Sequence, residues 1–267
     1  DIGDYKRSIG QASDCLFTSI GQDNQALKDR LSRFIADNIG RLEEDRSLLD
    51  GLAKPGDTVV LVVPIDSEAP KGRLILPQVQ MVRACLDEAI ISIVVKDTEL
   101  EAALDKIQSI DLVVTDSKVF DKVAQILDES GRNIDLTSFS IVFARQKGDI
   151  GVFLEGAAYL DSLKDGDRVL IAESCTHTTS HEDIGTVLIP NLIRKKTGKD
   201  LCFEFSQGKL DETDLSRFAL MIQCGGCMMT RNNMMNRIGL AGQSGIPITN
   251  YGVVLAYLKG VFDRAIY

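Results

Sequence analysis

A short apolar run, Thr58-Val59-Val60-Leu61-Val62-Val63, is rich in valine and has no charged residue. A run of this length and composition predicts a strand buried on both faces, as in a parallel sheet. The segment that begins at Pro77 then shows helical spacing of its apolar residues. Similar runs recur along the chain and predict strands at Ile90–Val95, Leu112–Val114, Ser140–Ala144, Arg168–Ala172, Leu201–Phe205, Phe218–Gln223 and Ile246–Ile248.

Helical patterns separate these predicted strands. They lie after Asp116, at Asp149–Leu163, after Pro190, at Met228–Ala241 and at Tyr251–Ala265. Strands that alternate with helices predict parallel sheets covered by helices. The fold class predicted is therefore α/β, with two Rossmann-like parallel-sheet domains that carry helices on both faces.

Two similar turns suggest how the chain is divided. Lys54-Pro55-Gly56-Asp57 precedes one valine-rich strand, and Lys164-Asp165-Gly166-Asp167 precedes another. We therefore expect a domain boundary between residues 150 and 165. Before the first turn, Asp23–Leu42 has the apolar stripe of one amphipathic helix, which needs a partner surface.

The composition excludes several classes of function. The formal net charge is -9 and the pI is about 4.9, so the chain lacks the basic footprint of a nucleic-acid binder. No apolar run approaches the roughly 20 residues of a membrane span. From the polar start we expect no secretory signal, and six cysteines are too few for a disulfide scaffold. We expect a cytoplasmic protein with reduced thiols.

Two short motifs carry chemistry. Glu173-Ser174-Cys175-Thr176-His177 follows one predicted strand, and Cys224-Gly225-Gly226-Cys227 follows another. Loops after parallel strands emerge at the same edge of the sheet, where ligands bind in open α/β folds. The second motif also precedes a predicted helix, whose first amides would point at the sulfurs and favour negative charge.

Three thiolates from two loops, with an open fourth position, suit a 4Fe–4S cluster on Cys175, Cys224 and Cys227. His177 is a candidate fourth or nearby ligand. Three other interpretations remain open: a Cys-x-x-Cys thiol oxidoreductase, a zinc-stabilised interaction module that uses His177 with the three cysteines, and two unligated thiols in a turn.

Other candidate residues are weaker. Cys85 lies on the apolar face of a predicted helix and is expected in the core, and structural filling is expected of Cys15 and Cys202. His181, Glu173 and Glu182 are loop residues that could ligate a metal but are more often solvated. The methionines of the predicted helix after Cys227 are expected to be core.

At these motifs the sequence resembles the HydF family of iron-iron hydrogenase maturation proteins, which carries Cys-x-His and, farther along, His-Cys-x-x-Cys. The resemblance extends over roughly residues 50–267 and includes Pro64-Ile65-Asp66-Ser67-Glu68-Ala69-Pro70-Lys71-Gly72-Arg73, Leu136-Thr137-Ser138-Phe139-Ser140 and Gly245-Ile246-Pro247-Ile248-Thr249-Asn250-Tyr251-Gly252-Val253.

The resemblance implies three parts: an N-terminal helical segment, linker or GTPase remnant at 1–50, a dimerisation domain at 51–160 and an iron–sulfur cluster-binding domain at 161–267. It further implies a homodimeric scaffold that carries a two-iron subcluster precursor and delivers it to apo iron-iron hydrogenase, together with the other maturation proteins.

The sequence departs from the family pattern at two points. No Gly-x-x-x-x-Gly-Lys-Ser/Thr motif is found, so GTP would bind only through a family domain not seen here, and the chain itself is not expected to be catalytic. The family's histidine before Cys-x-x-Cys is Gln223. Because an amide is a poor iron ligand, Gln223 is not expected to supply the fourth bond.

Overall fold

The computed structural model describes residues 24–39, 47–65, 72–173, 184–207 and 212–267. The chain divides into two compact units, Asp1–Asp45 and Arg46–Tyr267. Within the first unit, helix α1 spans Asn24–Ile39, which confirms the helix predicted there apart from its ends. All the strands described here belong to the second unit.

The first sheet of the second unit has four parallel strands in the order β2-β1-β3-β4. These are β1 (Thr58–Val62), β2 (Ile91–Val95), β3 (Leu112–Thr115) and β4 (Asp135–Ser138). The helices that connect and follow them are α2 (Leu76–Asp87), α3 (Leu100–Lys106), α4 (Phe120–Glu129) and α5 (Phe139–Lys147).

The second sheet repeats this arrangement, with four parallel strands in the order β6-β5-β7-β8. Helix α6 (Ile150–Ala158) precedes it. The strands are β5 (Arg168–Glu173), β6 (Cys202–Gln207), β7 (Leu220–Gln223) and β8 (Ile248–Asn250), and the helices are α7 (Ile189–Thr197), α8 (Arg231–Gln243) and α9 (Tyr251–Leu258). A π-helical turn at Ile184–Leu188 leads into α7.

Both faces of each sheet are covered, as the α/β prediction requires. In the first sheet, Leu61 faces α2 through Met81, while the next strand residue, Val62, belongs to the core that contains α3 and α4. That second core continues into the second sheet, where it includes Met221 of β7 and Phe153 of α6. The two sheets therefore share one continuous hydrophobic core, and the predicted α/β class is confirmed.

The two similar turns noted in the sequence have the same geometry. Asp57 Oδ2 accepts the backbone N–H of Lys54 at 2.9 Å. Asp167 Oδ2 accepts the backbone N–H of Lys164 at 2.7 Å. One turn leads into the central strand β1 and the other into the central strand β5. The similarity of the two turn sequences therefore reflects a fold that is repeated in the chain. The domain boundary expected near residue 160 stays a prediction.

One predicted strand is wrong. Ser140–Ala144 lies within helix α5, and the strand of that region is β4, which ends at Ser138. Ser138 Oγ accepts the backbone N–H of Ile141 and so starts the helix. Because α5 is buried on several sides, its run of apolar residues has no helical periodicity, and a short run of that kind resembles a strand.

Two further findings concern helices. Helix α3 was not predicted, since its seven residues give too short a pattern to detect. Among the residues that the structure describes, no helix is long and apolar enough to cross a membrane.

Candidate metal centre

The Cys-Gly-Gly-Cys loop leaves the carboxyl edge of the second sheet. Cys224 follows β7 directly, and its backbone N–H donates to the carbonyl of Ala172 in β5 at 2.9 Å. In the same register Gln223 lies opposite Ala172. Strand β5 ends at Glu173, and this strand end lies beside the end of β7, from which Cys224 follows.

Several predicted site residues lie outside the described residues: Cys175, His177, His181 and Glu182, together with Cys15. The grouping of Cys175 and His177 with Cys224 and Cys227 therefore stays a prediction. Within the described ranges, no three His, Cys, Asp or Glu side chains gather as a metal site.

The Cys224 side chain is enclosed and hydrogen-bonded. It is 8% exposed. Gln223 Nε2 donates to Cys224 Sγ at 3.2 Å, and Gln223 itself is fully buried. Asn250, at the end of β8, donates from Nδ2 to the carbonyl of Cys224 at 3.3 Å. Hydrogen bonds from amides to cysteine sulfur are among the interactions that tune iron–sulfur sites.

The other end of the Gln223 amide contacts a cation. Gln223 Oε1 accepts from Arg237 Nη1 of α8 at 2.5 Å. Burial lowers the pKa of Arg237 from its ordinary value, and the attraction of an ionised Cys224 opposes that shift. The guanidinium stays charged in this setting. The side chain of Gln223 thus connects a positive charge to the sulfur of Cys224, a role that suits it better than metal ligation.

The two glycines of the loop are not equivalent. Gly226 has a left-handed backbone with φ +61°, and a Cβ built on it would lie 2.7 Å from Met234 Cε. Gly225 has open space around the same position. The carbonyl of Gly226 accepts the backbone N–H of Met229 at 2.8 Å, which closes a turn that includes Cys227. Gly226 is therefore the residue that shapes the loop.

The helix after the loop starts later than predicted. Helix α8 begins at Arg231 rather than Met228, and Thr230 Oγ1 accepts the backbone N–H of Asn233 as its cap. Residues 228–230 therefore lie between Cys227 and the first helical residue. The prediction that the first helical amides point at the sulfurs is not supported by this start, because those amides belong to a capped turn beyond Cys227.

Glu173, a candidate oxygen ligand, is held at the sheet edge by neighbours. Its Oε1 accepts from the hydroxyl of Tyr251 at 3.0 Å, and its Oε2 accepts from Gln207 Nε2 at 3.5 Å. A Cβ at Gly185 would lie 2.1 Å from the Tyr251 oxygen and 2.6 Å from Glu173 Oε1. The small residue at 185 lets the π-helical turn approach this carboxylate–phenol pair.

The remaining cysteines and methionines divide by burial. Cys85 is fully buried in α2, which confirms its expected place in the core, and burial raises its pKa to about 11. Cys202 is exposed at the start of β6, so the expectation that it fills the interior is wrong. Met234 is fully buried, whereas Met228 is 68% exposed and is no part of the core.

Sequence reasoning did not find the residues that support the loop from elsewhere in the chain. Asn250, Tyr251 and Arg237 contact the loop or its neighbouring strand, yet none lies in a motif with Cys224. Asn250 gave one usable signal, since an asparagine before a helix is a good cap. Its Oδ1 does accept the backbone N–H of Gly252.

The donors in this loop fit an iron–sulfur cluster better than a hard cation. Cys224 and Cys227 are soft sulfur donors on a turn shaped by glycine, and Cys227 is half-buried and reachable. The fold and this loop define a class: α/β proteins of two similar parallel-sheet halves with a cysteine loop at the carboxyl edge of the second sheet.

Comparison with family models identifies the family within that class. Residues 48–148 match the hydrogen maturase F dimerization domain, and residues 151–267 match the hydrogen maturase F tetramerization domain. The chain belongs to the hydrogen maturase F (HydF) family. A search of curated proteins found no match.

Proposed function

We propose that this chain is a scaffold and carrier that holds a 4Fe–4S cluster on Cys175, Cys224 and Cys227 and delivers a two-iron subcluster precursor to apo-hydrogenase. Family membership makes hydrogenase maturation the process in which the chain takes part. The observation that carries the finer proposal is the position of the Cys224–Cys227 loop. It lies beside the end of β5, from which the chain continues to Cys175.

The residues of this chain would act by binding and positioning. Cys224 and Cys227 supply thiolates from one loop, and Cys175 supplies the third from the neighbouring loop. When bound, a cubane with three cysteine ligands offers one iron position for an exogenous ligand or for cargo. His177 is the proposed side chain at or near that position.

Gln223 is proposed as a supporting residue and not as a ligand. Its amide N–H contacts Cys224 Sγ, and its oxygen contacts Arg237. Replacement of the family's histidine by glutamine therefore removes a nitrogen ligand and supplies a hydrogen bond to a neighbouring sulfur. This leaves the fourth position to His177, water or an exogenous group.

Self-association is the second property that family membership supports, through the dimerization and tetramerization models. Strand β2 is an edge strand of the first sheet, and Ile91 and Val94 on it are 56% and 45% exposed. An edge strand with exposed apolar side chains is a ready template for pairing with another chain. We propose that a second copy of the chain pairs at this edge, in the cytoplasm.

Anaerobic reconstitution with iron and sulfide tests the scaffold proposal. The wild-type chain should bind iron and sulfide together, with visible absorption and an electron paramagnetic resonance signal after reduction. Cys224→Ser should lose both signals, and the matched control Cys202→Ser, at an exposed cysteine that begins strand β6, should keep them.

The same experiment separates the alternatives. Zinc without sulfide would support an interaction module, and a chain that binds neither metal would support a dithiol oxidoreductase. Full iron content in Cys224→Ser would contradict the proposed ligands.

A further inference from the structure

The end of helix α5 and the cysteine loop hold each other through reciprocal contacts. Lys147, the last residue of α5, donates from Nζ to the carbonyls of Gly226 at 3.0 Å and Cys227 at 2.9 Å. In the opposite direction, Arg231 Nη1 donates to the carbonyls of Gln146 at 2.9 Å and Gly148 at 3.0 Å. The last carbonyls of a helix have no partner within the helix, and Arg231 supplies donors to those of α5. Lys147 in turn supplies donors to the carbonyls of the cysteine loop.

The position of Lys147 is fixed by the core and not by the loop alone. Gly148, the next residue, donates its backbone N–H to the carbonyl of Ala144 at 2.9 Å. A Cβ on Gly148 would lie 2.4 Å from Phe153 Cε2, and Phe153 is fully buried. The lysine ammonium also lies 5.2 Å from the ring centre of Phe143. Helix α5 therefore presents Lys147 to the loop from a rigid base.

The chain has two similar halves, residues 48–148 and 151–267. A lysine of the second half contacts the loop of the first half that corresponds to the cysteine loop. Lys259, at the end of α9, donates from Nζ to the carbonyl of Lys118 at 2.5 Å and to Asp121 Oδ1 at 2.9 Å. Lys118 and Gly226 occupy matching places in the two halves. Each follows the strand that comes third along the chain in its sheet, which is β3 for Lys118 and β7 for Gly226. Each half thus supplies a lysine to a loop of the other, but only one of these loops carries cysteines.

We propose that Lys147 is a positioning residue through which the first half sets the conformation of the Cys224–Cys227 loop. Its two hydrogen bonds hold the carbonyls of Gly226 and Cys227, so the loop keeps one arrangement of its two sulfurs. Its ammonium also places a positive charge next to the loop. The cysteine loop is therefore completed by a helix of the dimerization domain, not by its own domain alone.

Hydrogen exchange on the metal-free full chain tests the structural part. Lys147→Met keeps the aliphatic stem and removes the donors. We expect amide exchange in residues 224–230 to become roughly tenfold faster, because two hydrogen bonds that hold the loop are lost. Lys147→Arg should restore slow exchange. Lys259→Met is the matched control, and it should speed exchange around residues 116–122 and leave 224–230 unchanged.

Wild-type exchange at 224–230 in Lys147→Met would overturn the proposal. Equal acceleration of that segment by Lys147→Met and Lys259→Met would also overturn it, because both would then act through global stability.

A second measurement rests on the proposed function, because it needs the bound cluster. It distinguishes a failure of the proposed cluster binding from a failure of the proposed role of Lys147. In reconstituted protein, Lys147→Met should shift the cluster's reduction potential downwards, since a nearby cation favours the more negative reduced state. Lys147→Arg and Lys259→Met should leave it at the wild-type value. An unchanged potential in Lys147→Met would overturn the electrostatic part. A wild-type chain that binds no cluster would overturn the proposed function, while the exchange result still decides the role of Lys147.

Discussion

Substitution of Gly226 by alanine should distort the cysteine loop at a cost that the structure allows us to estimate. The left-handed backbone, with φ +61°, costs a residue with a Cβ about 1–2 kcal/mol. The new Cβ would also lie 2.7 Å from Met234 Cε, and Met234 is fully buried, so its displacement adds about 1–2 kcal/mol. We expect Gly226→Ala to lower the free energy of unfolding by about 2–4 kcal/mol.

Two control glycines separate the contributions. Gly245 has φ +70° and open space around a Cβ, so Gly245→Ala should cost only the backbone part, about 1–2 kcal/mol. Gly225 has open space and no positive φ, so Gly225→Ala should change stability by less than about 0.5 kcal/mol. Urea unfolding of the three metal-free variants, followed by circular dichroism, measures these differences.

The loop variant should also bind less iron after anaerobic reconstitution, whereas Gly245→Ala should bind the wild-type amount. The reasoning is refuted if Gly226→Ala is no less stable than Gly245→Ala, since the contact with Met234 would then cost nothing. Stability equal to that of Gly225→Ala would show that the backbone at 226 is not left-handed.

Three further predictions concern other parts of the second unit. Gln223→Leu should keep full iron content but lower the free energy of unfolding by about 1–3 kcal/mol, because the partly buried guanidinium of Arg237 loses the hydrogen bond to Gln223 Oε1; loss of iron would show that Gln223 is a ligand. Burial raises the pKa of Cys85 from 9.0 to about 11, so native Cys85 should resist alkylation at pH 8 while exposed Cys202 reacts, as peptide mass mapping would show. The unfolded chain loses that thiol proton first, so the Cys85 contribution to stability is intact below about pH 9 and decreases towards pH 11. Ile91→Lys combined with Val94→Lys should shift the chain towards monomer in analytical ultracentrifugation, and an unchanged assembly would exclude the β2 edge as the interface.

Local sequence patterns determined most of the architecture. The apolar runs that became β1 and β5 have the composition of strands buried in a parallel sheet. The repeated turns before them needed only an aspartate that accepts a nearby backbone N–H. Pattern reasoning failed at Ser140–Ala144, where burial on several sides removed the helical periodicity on which such predictions depend.

The sequence alone predicted that the Cys224–Cys227 loop lies at the carboxyl edge of a parallel sheet, because it follows a strand directly and strand direction and connection fix that edge. Tertiary structure decided how the loop is held there. The contacts from Lys147 and Asn250 join residues far apart in the chain, and no local pattern encodes them. They arise because the helices of two halves pack on one shared core, and that packing brings donors to carbonyls that their own segments leave unsatisfied.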